Sequence, residues 1–151
     1  MDATLLTIGG YGALIYAVST GLSYAYLIRR WPVVDKQEAG AVLKCVGERR
    51  AEWQFFWWCT IILSFSLIPT FPALVYALWR DAQAYAIIAL FFGLIAIILG
   101  TLGPLRHATV TPSLASLYDT ADSEEMRGAV VIVYKAQEAY GQGLFCLFGS
   151  T

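Results

Sequence analysis

The chain has 151 residues, of which 58 % are hydrophobic and 14 % charged. Soluble domains lie nearer half apolar and a quarter charged, so the composition points to lipid as the solvent. A net charge of −1 argues against nucleic acid as a partner, because that needs a concentrated basic surface.

The placement of the charges is decisive. No Asp, Glu, Lys or Arg lies between residues 53 and 79, or between residues 82 and 105. A run of about 20 apolar residues crosses the hydrocarbon core as a helix. The fold class is therefore all-α: an integral membrane helical bundle forming a single membrane domain over 1–151. It has three firm transmembrane helices, a fourth amphipathic or partial one, and a short interfacial helix.

The first span is expected over about residues 4–28, ending at Arg29-Arg30-Trp31-Pro32. No basic residue precedes it and its apolar run is too long for a cleavable signal peptide. Small residues recur at i+4 spacing, Gly9, Ala13, Ala17, Gly21 and Ala25, which reads as a shallow helix-packing stripe open to a neighbouring helix. A charged connector follows. Asp35 and Glu38 fit a capping box, and Ala39, Val42, Leu43 and Val46 repeat at i, i+3, i+4, i+7. That pattern predicts a surface helix over about 36–48, its apolar face on the membrane.

The second span, 53–79, has Trp53, Trp57 and Trp58 near one end and Trp79 at the other, as an aromatic belt would. Pro69 and Pro72 lack the backbone donor and crowd the preceding turn, so the helix should kink or break near Ile68. Arg80-Asp81 leaves room only for a tight turn, which makes spans two and three an antiparallel hairpin. The third span, 84–103, carries eleven Leu, Ile and Phe and is expected to stop at Gly103-Pro104.

A polar stretch over 105–123 precedes a second capping box, Asp122 to Glu125. The last segment, about 128–149, is mixed. Its seven Val, Ile, Leu and Phe between 128 and 147 favour lipid by roughly 3.5 kcal/mol, against about 5 kcal/mol or more for Lys135 and Glu138 at mid-bilayer. Either its first half stands in water and only the part beyond Ala139 enters lipid, or its polar group faces other helices. The first arrangement leaves about a dozen residues for the membrane before Thr151, which points to a natural continuation beyond it. Lys135 and Glu138 share a helix face at i, i+3 and are the candidate polar site, with Tyr134 beside them and Gln142 one turn on.

Basic residues fix an orientation. Six Lys/Arg lie within 29–50 and three within 106–135, against Arg80 alone on the other side. The positive-inside rule places the N-terminus outside and residues 29–52 and 105–127 in the cytoplasm.

Chemistry-bearing motifs are sparse. Cys45, Cys59 and Cys146 show no C-x-x-C spacing and read as packing residues. His107 is the single histidine; it can ligate one pigment or metal at most, and the bland reading is an interfacial residue just past a helix end. No metal, cofactor or catalytic residue is expected, and the chain is not read as an enzyme.

Pro-Ala-Leu-Val-Tyr-Ala-Leu-Trp-Arg at 72–80, the near-immediate third span, and Pro-Ser-Leu-Ala-Ser-Leu-Tyr-Asp at 112–119 form a pattern. With Ala121, Glu125, Arg127 and Ala129 before a Gly-rich helix, it resembles an uncharacterised family of bacterial multi-pass membrane proteins, a domain of unknown function, over about 53–149. The resemblance implies a bacterial inner-membrane setting and carries over no site residue. Length and a basic first connector are also similar to four-span enzymes acting on glutathione and lipids, but their inner-helix arginines and tyrosine have no counterpart here.

Two functional expectations remain. One is an accessory or structural subunit that meets other membrane subunits through the first helix. The other is part of a small transporter or channel with a polar site on the last helix.

Overall fold

The computed structural model describes residues 3–31 and 38–149, apart from the side chains of Arg80 and residues 142–149. Every element there is helical: α1 (Ala3–Arg30), α2 (Ala39–Glu48), α3 (Arg50–Ser64), α4 (Thr70–Asp119) and α5 (Glu124–Gly149). Three segments are long and apolar enough to cross a membrane: Ala3–Arg30, Arg50–Trp79 and Asp81–Asp119. The protein is a multi-pass integral membrane protein. Among the described residues α5 is not one of these spans.

The expected break near Ile68 is present. α3 gives way to a 3-10 turn at Phe65–Leu67, where Ile68 N donates to Phe65 O at 3.1 Å. Pro69 would have supplied the α-helical donor to that carbonyl and has no N–H, so the tighter bond replaces it. Ser64, Phe65, Ile68 and Pro69 keep right-handed helical angles on either side of the turn, and the chain bends without reversing.

Reversal comes at Ala82, whose φ −147° and ψ 44° interrupt α4. Beyond it the chain runs back along α3: Gly93 lies under the Phe71 ring and Trp53 bonds His107. The hairpin turns on this one residue.

The third span does not stop at Gly103-Pro104. α4 contains Pro104 and Pro112 and continues to Asp119. A 39-residue limb measures about 58 Å, against about 30 Å of hydrocarbon. Its uncharged part ends near Leu105, so the last turns of α4 stand beyond the apolar layer. Around them the protein builds its main core: Trp31, Trp53, the α2 residues Ala39, Val42, Leu43 and Val46, then Leu114, Ala115, Val130 and Tyr134. The apolar face of α2 is thus covered by α4 and α5 instead of lying on the membrane, with Leu43 and Val46 fully buried. Asp35 lies outside the described residues, and Glu38, at the N-cap, makes no side-chain capping bond. At α5 the cap is Ser123, not Asp122: Met126 N donates to Ser123 Oγ at 3.2 Å.

α1 packs antiparallel to the second span. Thr70 Oγ1 donates to Gly9 O at 2.9 Å and Ser66 Oγ to Gly12 O at 3.2 Å. A Cβ at Gly9 would strike Ala73, and one at Gly12 the Ser66 carbonyl, so only glycine permits this approach. Further along, Arg30 Nε and Tyr26 Oη both donate to Glu52 Oε1, at 2.8 and 2.6 Å. Gly9 and Gly12 are buried and Ala13 half-buried, while Ala17, Gly21 and Ala25 are exposed. The five-residue stripe therefore does not share one face. Each i+4 step overshoots a turn by about 40°, and four steps carry Ala25 about 160° round from Gly9.

Candidate functional site

Where α4 leaves the apolar layer, two neighbours on α3 bond its backbone, and one of them, Gln54, replaces the donor that a proline removes. Pro112 has no N–H to offer Ala108 O, and Pro112, Thr111 and Ala108 are all buried. Gln54 Nε2 donates to Ala108 O at 3.2 Å and Trp53 Nε1 to His107 O at 2.7 Å. A proline-interrupted helix persists where neighbouring side chains satisfy the freed carbonyls. Trp53 is therefore an inward donor, 1 % exposed, whereas Trp58 and Trp79 face outward.

The same turn of α4 sends Arg106 and His107 towards α5. Arg106 Nη2 lies 3.2 Å from Glu138 Oε1, and Arg106 Nη1 donates to Gln137 O. The guanidinium occupies the place where a Cβ of Gly141 would stand. Side chains here are shielded: 15 % exposed at Arg106 and His107, 26 % at Glu138. The Arg106–Glu138 approach is ionic and not a well-angled hydrogen bond, and Arg106 Nε, Gln137 Oε1, Glu138 Oε1 and Trp57 Nε1 are buried without hydrogen-bond partners.

His107 is held flat against Trp57, with centroids 4.4 Å apart and planes 18° apart. Its Nε2 lies 3.0 Å from Arg106 Nη2. Arginine only donates, so Nε2 carries the lone pair and the ring proton sits on Nδ1. Nδ1 then points to Thr111 Oγ1 at 3.5 Å, with Glu138 Oε1 at 3.9 Å. Gln137 Nε2 closes the ring of contacts on Thr111 Oγ1 at 3.4 Å.

The structure brings Glu138 and Tyr134 inward but leaves Lys135 exposed, so Lys135 and Glu138 do not form a shared polar site. The cation that meets Glu138 is Arg106, from another helix. Gln142 and Cys146 have side chains outside the described ones. Pro69 and Pro72 lie apart from this cluster, at the N-cap and in the first turn of α4, just after the 3-10 break. Near that break a cavity of about 130 Å³ is lined by Tyr16, Ser64, Phe71, Gly93, Ile97 and Gly100, among others. Cys45 and Cys59 are free and half-buried, and no group of three metal-ligating side chains occurs among the described residues. Arg106, Gln137, Thr111 and Gly141 escaped the sequence reading. The available signal was an arginine directly after an uncharged run, with a helix-interior glycine, Gly141, to receive it.

No curated protein and no solved structure shows significant similarity to the chain. The family described as a domain of unknown function, DUF4386, matches residues 8–150. The match takes in α1 and α2, which the motif resemblance over 53–149 had left out. This all-helical, multi-pass membrane chain belongs to the DUF4386 family.

Proposed function

We propose that the protein is an accessory or structural subunit of a larger membrane protein complex, without catalytic activity of its own. The reading places it in the bacterial inner membrane, N-terminus outside, with residues 29–52 and 105–127 cytoplasmic, on the count of basic residues. The observation that carries it is a second small-residue face on α1. Gly10, Ala17 and Gly21 fall within about 40° of one another round the helix. All three are exposed, and nothing lies within 4 Å of a Cβ built at Gly10 or Gly21. Gly9 and Gly12, on the covered face, show what such residues do when a helix packs on them. The occupant proposed for the open face is a transmembrane helix of another subunit.

Gentle extraction followed by native mass spectrometry tests this. Gly21→Leu and Ala17→Phe should release partner subunits while leaving the monomer folded, and Ile98→Phe on an exposed face of α4 should not. Unchanged association after both α1 substitutions would sink the proposal.

The second reading is part of a small transporter or channel. What favours it is the shielded Arg106–Glu138 pair with its unsatisfied neighbours at the edge of the apolar layer, because shielded ionisable groups facing other helices can mark an ion or substrate route. A small homo-oligomer without partners, with flux lost in Glu138→Gln, would select this reading.

A further inference from the structure

We propose that Glu138 is a proton-binding carboxylate, and that its proton occupancy decides whether α5 is held to α4 through Arg106. The inference concerns the chain alone and stands under either reading of function.

Three features of the cluster carry it. Glu138 Oε1 is buried and without a hydrogen-bond donor, with the guanidinium of Arg106 at 3.2 Å and His107 Nδ1 no nearer than 3.9 Å. An ionised oxygen so placed gains most from a proton, while the Glu138 side chain as a whole remains 26 % exposed and within reach of water. His107 is a poor acceptor in comparison. Its one lone pair faces Arg106 Nη2 at 3.0 Å, and a proton there would set two donors against each other. Arg106, finally, has alternatives when Glu138 is neutral, because it also donates to Gln137 O and to the His107 ring. Protonation thus removes the counter-ion and leaves the cation in place, weakening the link between helices without dismantling it.

The groups facing Glu138 are Arg106 and His107 from α4 and Tyr134 on its own helix. Lys135 is exposed. α2 covers the first half of α5 with Val42, Leu43 and Val46 buried, while its charged Lys44 and Glu48 are exposed. Arg106 is thus the one ionic partner of Glu138 among the described residues.

The test is hydrogen exchange of the 130–141 segment in the full chain in lipid nanodiscs, comparing wild type with Glu138→Gln at a series of pH values. At high pH the variant should exchange about tenfold faster, as expected for local opening that has lost roughly 1.4 kcal/mol. The gap should close as pH falls, because the wild-type carboxylate then also becomes neutral. A protonated-carboxyl stretch in infrared difference spectra, absent from Glu138→Gln, should titrate with the same midpoint. Gly141→Ala, which displaces the guanidinium and keeps the carboxylate, should exchange fast at every pH and protects the test against misfolding of the first variant. A gap that is absent or independent of pH would overturn the proposal. So would a gap that closes without any carboxyl band assignable to residue 138.

Discussion

Gln54 and Pro112 should be thermodynamically coupled through a single carbonyl. Pro112 deprives Ala108 O of its helical donor, and Gln54 Nε2 supplies one at 3.2 Å. Ala108 is fully buried, so Gln54→Met leaves a buried carbonyl unpaired at a cost of about 1–3 kcal/mol. Pro112→Ala restores a backbone N–H one turn below the same oxygen. In that background the Gln54 donor is redundant, and Gln54→Met should cost only a few tenths of a kcal/mol, within the additivity error. A coupling energy of about 1–2 kcal/mol is expected from the four-way cycle. Denaturant titration in mixed micelles of the wild type, both single variants and the double variant measures it. An equal cost for Gln54→Met in both backgrounds would refute the account of how α4 survives Pro112.

Two further expectations concern packing and charge. Gly93→Leu pushes against the Phe71 ring across the hairpin that turns at Ala82 and should destabilise by about 1–3 kcal/mol; Phe71→Ala in the same chain should recover part of that in thermal unfolding, and no recovery would count against the contact. Lys135→Ala, at an exposed position, should change stability by no more than about 0.5 kcal/mol. A larger loss would mean that Lys135 does pair within the fold.

The spans, the hairpin and the bend before Pro69 are legible from residues alone because each has a local cause: an uncharged run, a two-residue polar interruption, a missing N–H. What was not legible depends on neighbours. Pro104 reads as a stop, and only the helices packed around it decide otherwise; at Pro112 the missing donor is replaced by Gln54. The repeat of α2 identifies an apolar face but not what covers it, and Leu114 and Ala115 do so in place of lipid. The i+4 stripe on α1 looks continuous in one dimension and winds away in three. Lys135 looks like the partner of Glu138 because it is near in sequence, yet sequence distance carries no information about a contact made across helices.

Most of the large buried side chains gather at one end of the molecule, where α2 and the ends of α4 and α5 meet. Within the spans burial falls mainly on small residues such as Gly9, Gly12, Ala73, Ala86 and Gly93. The two regions answer to different demands. In lipid an outward-facing Leu, Ile or Phe has to be greasy and little more, so the spans can drift among apolar residues while their glycine contacts stay put. In the clustered end, volume and shape are specified, and a change at Leu43, Val46 or Ala115 is felt by several helices together. Variation across relatives should therefore be dense along the membrane-facing surface and thin at this knot, which gives a way to recognise distant members whose spans no longer look alike.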